Sequence, residues 1–118
     1  MAKHSSMGRR LVRGAICWVT FPLPDGRRPA LILTRTPAIG YLNSLTVAPL
    51  TTTIRDVPSQ VLLLPEDDGV SIACSVNLYR LQTVMKDRFG SIITHLSDNR
   101  MRQVEHALLF ALDVKTVS

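Results

Sequence analysis

The sequence predicts a mainly β fold with one helix at its C-terminal end, and three observations carry that prediction. Short runs of apolar, β-branched and aromatic residues recur between Pro, Gly and Asp turn signals from about residue 15 to residue 96. After Ser97 the pattern changes: Met101, Val104, Leu108, Ala111 and Leu112 fall at three- and four-residue steps, the spacing of one helix face. The chain has 118 residues, enough for one core and too few for two. Strands followed by a single helix, without repeats or low-complexity tracts, imply a small, strongly bent sheet or partly open barrel capped by that helix.

Each element has its own signal. Residues 1–10 are small, polar and basic and are expected to be a flexible tail, with the folded domain covering residues 11–118. "AICWVTF" (15–21) is rich in strand formers and ends at the turn signals of "LPDGRRP". "ALILT" (30–34) is apolar without alternation, as in a strand buried on both faces. "PAIGYLNS" interrupts it, "LTVAPL" (45–50) resumes it, and "SQVLLLP" (59–65) follows the turn at Asp56-Val57-Pro58. "PEDDG" (65–69) reads as an exposed acidic loop. "CSVNLYRLQTV" (74–84) is expected to be a further strand, "MKDRFG" one helical turn ended by Gly90, and "SIITHL" (91–96) the last strand. Ser97 is the expected N-cap of the helix.

Composition narrows the function classes. A hydrophobic fraction of 46% with 19% charged residues describes a soluble globule. No apolar run is long enough to span a bilayer, and the first ten residues lack the apolar segment of a secretory signal, so a cytoplasmic protein is expected. Cys17 and Cys74 lack metal-site spacing and are expected to be buried thiols. The net charge of +5 gathers at Arg9, Arg10, Arg13, Arg27, Arg28 and Arg35, which suits nucleic acid or an acidic protein, or serves only solubility.

Two short stretches stand out. Thr51, Thr52 and Thr53 follow a buried run at a strand-to-loop junction, where hydroxyls can bond loop backbone or face a ligand. Arg28 stands before Pro29 at the entrance of a buried strand, so its planar fork is held where it can grip two phosphate oxygens. The histidines make no catalytic pair: His4 is in the tail, His95 at a strand end and His106 on the helix. Asp67 and Asp68 read as a solvated loop, and Trp18 as a core residue.

Taken together, "RRPALILT", "TVAPLTTTIR", "SVNLYRLQTVMKDRFG" and "LSDNRMRQVEHALLFAL" resemble the MazF/PemK family of toxin endoribonucleases, over about Arg13 to Val114. The resemblance implies an SH3-like, CcdB-type barrel that forms a homodimer, cuts single-stranded RNA without a metal or other cofactor, and is neutralised by a cognate MazE-like antitoxin. No membrane partner is expected, and no DNA for the toxin alone. It further implies that Arg28 and Thr51 are catalytic, and that Arg27, Thr52, Thr53, Arg80 and Gln82 contact RNA. The chain departs from the family pattern at Ala15 in "RGAICW", at "ACSVNL" in place of D-S-V-V-N-L, and at Gln82 before "TV".

Two rival functions remain on sequence grounds. A gyrase-binding toxin of the CcdB type would end in Trp-Gly-Ile, whereas this chain ends "DVKTVS". A non-catalytic barrel acting as a binding module would leave Arg28 and Thr51 with structural roles only.

Overall fold

A computed structural model describes residues 10–116. Seven antiparallel strands form one bent sheet: β1 (Ala15–Thr20), β2 (Arg27–Ile32), β3 (Ser44–Thr51), β4 (Gln60–Leu63), β5 (Cys74–Asn77), β6 (Gln82–Met85) and β7 (Phe89–His95). Three helical segments join them: α1 (Thr36–Ile39), α2 (Pro65–Asp68) and the terminal α3 (Asp98–Leu112). The sheet runs β4-β5-β3-β2-β1-β7, with β6 paired to the first half of β3. It bends without closing, so the barrel is a partly open one.

Strand β3 makes the bend. Its residues Ser44 to Val47 pair with β6, and Leu50 and Thr51 pair with β5 on the same edge. Two cores result, one on each face of the central strands. Ile16, Leu31, Ala48, Leu50, Val61, Leu63 and Val76 pack with Val104 and Ala107 of α3. Ala15, Cys17, Val19, Ala30, Ile32, Leu45 and Val47 pack with Val84 and Phe89 on the other side. Successive side chains of a strand point to opposite faces. An unbroken apolar run such as Ala30-Leu31-Ile32 is therefore what two cores require.

Several elements differ from the sequence expectations. Strand β2 begins at Arg27 because Arg27 and Arg28 pair with Thr20 and Val19 of β1, so the two arginines lie within the strand. The segment 74–84 splits in two, since the Asn77 side chain accepts from Tyr79 N–H (3.1 Å) and its carbonyl from Arg80 N–H (3.2 Å), closing a turn. Phe89 and Gly90 belong to β7, and only Lys86–Arg88 form the expected helical turn. "PAIGYLNS" contains α1, which buries Ala38 and Ile39 and gives Lys86 Nζ the Ile39 carbonyl at 2.7 Å. The expected tail falls mostly on residues 1–9, which lie outside the described residues.

Helix α3 starts as expected, with the Ser97 hydroxyl accepting from Arg100 N–H at 3.1 Å. Val104 and Ala107 are buried, with Met101, Leu108 and Ala111 packed beside them. Leu112 is 54% exposed, because eight residues beyond Val104 turn the side chain about 80° round the helix.

The acidic stretch is a short helix rather than a loop, with Glu66 and Asp67 exposed as expected and Asp68 not. Asp68 is buried, and Arg100 donates to both its oxygens while Leu64 N–H donates to Oδ2 at 2.8 Å. Burial acts to raise the Asp68 pKa, but the Arg100 and Leu64 hydrogen bonds outweigh it and hold the carboxyl below its usual range. The next residue, Gly69, has φ of +75°, and a Cβ there would overlap the Thr94 side chain. No helix among the described residues is long and apolar enough to cross a membrane.

Candidate active site

Four strands, β2, β3, β5 and β6, bring the site together. In the β2–β3 ladder Ala30 faces Pro49, Leu31 faces Ala48 and Ile32 faces Val47. Continued two residues, this register sets Arg28 opposite Thr51. Both line one small cleft with Asp25, Pro49, Leu50, Asn77, Arg80 and Gln82. Four of the expected site residues, Arg28, Thr51, Arg80 and Gln82, therefore share a wall. They come from three separate stretches of sequence.

Arg28 is held by its strand, and its Nε is buried without a hydrogen-bond partner among the described residues. Leaving a guanidinium N–H unpaired in a dry site is unfavourable unless an incoming acceptor takes it. Thr51 ends β3, and its Oγ1 accepts from Thr53 N–H at 3.0 Å, forming a hydroxyl-capped turn. That bond uses one of the oxygen's two acceptor positions. The hydroxyl proton is left for another partner.

The remaining expected RNA contacts lie apart from the cleft. Arg27 points to the opposite face of β2, where its guanidinium stacks over the Trp18 ring at 4.3 Å from the centroid. Trp18 is accordingly half-buried under a cation rather than a core residue. It lines an apolar groove of about 270 Å³ with Ile16, Pro29, Val70, Ile72 and Ile93. Thr52 borders that groove, and Thr51 borders both it and the cleft. Thr53 is exposed and serves Thr51 through its backbone.

Asp25 and Asn77 were not singled out by sequence. Asp25 sits in the β1–β2 turn and reads locally as turn chemistry, yet the fold makes it part of the cleft lining with Arg28 and Arg80. Asn77 both shapes the β5–β6 turn and lines the cleft. Cys74 is buried, and burial together with the Asp68 charge raises its thiol pKa, so it stays protonated at neutral pH. Cys17 is buried as well. Among the described residues no cluster of three His, Cys, Asp or Glu side chains is arranged to hold a metal ion. His95 and His106 are exposed, and neither lines the cleft.

A family model for the PemK-like, MazF-like toxin of type II toxin–antitoxin systems matches residues 12–112. The chain belongs to this family. A Mycobacterium tuberculosis protein described as probable endoribonuclease MazF5 is 38% identical over 101 residues, covering 86% of this chain and 92% of that one. The probable endoribonuclease MazF2 of the same species is 34% identical over 80 residues, 68% of this chain and 78% of its own. Among solved structures, M. tuberculosis toxin MazF-mt6 superposes with a TM-score of 0.78 at 28% identity, over 86% of this chain and 99% of that one. A mycobacterial endoribonuclease in complex with its cognate antitoxin gives 0.79 at 25% identity, over 91% and 99%. The PemK/MazF fold thus covers both the cleft and the apolar groove beside it.

Proposed function

We propose that this protein is an endoribonuclease toxin that cuts single-stranded RNA within a short sequence motif, without a metal. The observation that carries the reading is the meeting of Arg28 and Thr51 in one cleft, with Arg28 Nε buried and unpaired. RNA carries its own nucleophile, the ribose 2′-hydroxyl, so the protein has only to align it, take up its proton and hold the charge of the transition state. Arg28 binds the non-bridging phosphate oxygens. Thr51 hydrogen-bonds the phosphate and keeps its own proton, while the leaving 5′-oxygen takes its proton from solvent water.

Neither an arginine, whose guanidinium stays charged in proteins, nor a threonine suits proton abstraction near neutral pH. The Asp25 carboxylate lines the same cleft, which supports a role as the acceptor of the 2′-hydroxyl proton. The products are a 2′,3′-cyclic phosphate and a 5′-hydroxyl. DNA, which lacks the nucleophile, is not cut. Arg80 and Gln82 at the cleft wall contact the neighbouring bases, while Arg27, Thr52 and Thr53 bind flanking RNA beyond it.

A cognate antitoxin of the MazE type neutralises the protein by laying an acidic, extended segment across the basic cleft and the apolar groove. Relatives crystallised with their antitoxins support this reading. The toxin acts as a cytoplasmic homodimer. End-mapping of a long unstructured RNA in excess EDTA tests the function. Cuts at one short motif with 5′-hydroxyl ends, lost in Thr51→Ala and Arg28→Ala, are expected. Intact RNA with the wild-type protein would leave the binding-module reading instead.

A further inference from the structure

Among the described residues two buried side-chain polar atoms have no hydrogen-bond partner, Arg28 Nε and Ser75 Oγ. They flank the same residue. Ser75 is the cross-strand partner of Thr51 in the β3–β5 ladder, and Arg28 stands opposite Thr51 on its other side, in the continued β2–β3 register.

Cross-strand partners share a face of the sheet, with Cβ atoms about 5 Å apart. Cys74 and Val76, the neighbours of Ser75, point into the core beneath α3. Ser75 therefore points to the other face with Thr51 and, two residues on, with the cleft residue Asn77. It is 1% exposed. Packing gives no reason for a hydroxyl there, since alanine would fill nearly the same volume without an unpaired polar atom.

We propose that Ser75 is a positioning residue that acts on the Thr51 hydroxyl during cleavage. This inference rests on the reading of Thr51 as the group that touches the phosphate. In the resting site Thr51 Oγ1 accepts from Thr53 N–H. When RNA enters, the Thr51 O–H turns to the phosphate, and Ser75 O–H donates to Thr51 Oγ1. A hydroxyl that accepts a hydrogen bond becomes a better donor, and its direction is fixed. The Ser75 proton stays on Ser75, and no bond is made or broken there.

The test compares Ser75→Ala, Ser75→Thr and Thr51→Ala with the wild-type protein, measuring kcat, KM and melting temperature on one RNA containing the cleavage motif. Ser75→Ala is expected to lower kcat about tenfold with KM within about twofold, the pattern of a bond made only in the transition state. Its melting temperature is expected to be equal or higher, because a structural serine would lower it. Ser75→Thr, which keeps the hydroxyl, is expected to recover part of kcat. An unchanged kcat in Ser75→Ala, or a loss that follows a lowered melting temperature, would overturn the inference while an inactive Thr51→Ala leaves the proposed function standing. If Thr51→Ala cuts like wild type, the inference falls together with the role of Thr51.

Discussion

Arg100 on α3 donates to both oxygens of Asp68 on α2, from Nε to Oδ1 and from Nη2 to Oδ2, each at 2.9 Å. This two-pronged pair is largely dry, with side-chain exposures of 19% for Arg100 and 4% for Asp68. It ties the terminal helix to the segment that runs into Val70, Ile72 and Cys74 of the apolar groove. The pair thus anchors the chain one residue before Gly69 and two before Val70, where the groove lining begins.

Acid should weaken this tie. The folded pKa of Asp68 is depressed, so its stabilisation is fully present above the ordinary carboxylate value of 3.8 and is lost as pH falls through the lower folded value. Denaturant unfolding at pH 7 is expected to show a loss of about 3 kcal/mol for Asp68→Ala, because Arg100 is left without its partner. Between pH 5 and pH 2 the wild type should lose stability more steeply than the variant. Parallel slopes in that window would show that Asp68 does not titrate differently on folding.

Gly69 is expected to resist substitution for two reasons that act together. Its φ of +75° disfavours any side chain, and a Cβ would meet Thr94 of β7. Gly69→Ala should lower stability by about 2 kcal/mol in denaturant titration. The double change Gly69→Ala with Thr94→Ala should recover only part of the steric loss, since the Thr94 hydroxyl is removed but the Cβ, 2.9 Å from the new side chain, stays. Full recovery would show that the backbone conformation costs nothing.

Adjacent arginines should behave differently. Arg28→Lys keeps the charge but loses the planar fork, and RNA cleavage is expected to fall about a hundredfold in kcat. Arg27→Lys changes a cation stacked on Trp18 and should affect kcat less than about threefold, its effect falling on KM. Equal kcat losses at the two positions would show that the face of β2 does not matter.

The base role proposed for Asp25 is also open to measurement. Asp25→Asn is expected to lower kcat about a hundredfold near neutral pH with the melting temperature unchanged. A kcat within about twofold of wild type would assign proton abstraction elsewhere.

Local chemistry alone determined much of this protein. The strands in the first half of the chain, the terminal helix with its Ser97 cap and the two-faced burial of Ala30-Leu31-Ile32 follow from residue pattern, because the periods of strands and helices are properties of the backbone, whereas the turn that splits 74–84 into β5 and β6 does not. Arg28 and Thr51 were legible too, through their motifs. Tertiary structure decided what those residues meet. The β2–β3 register brought Arg28 to Thr51 and turned Arg27 away to Trp18, the bend of β3 set Ser75 beside Thr51, and the fold over the β1–β2 turn swung Asp25 into the cleft. Asp68 was misread as solvated because its partner, Arg100, lies 32 residues away. No local pattern encodes a charge pair formed across a fold. Such contacts depend on which strand edges pair and how sharply the sheet bends, and these are settled only when the whole core packs.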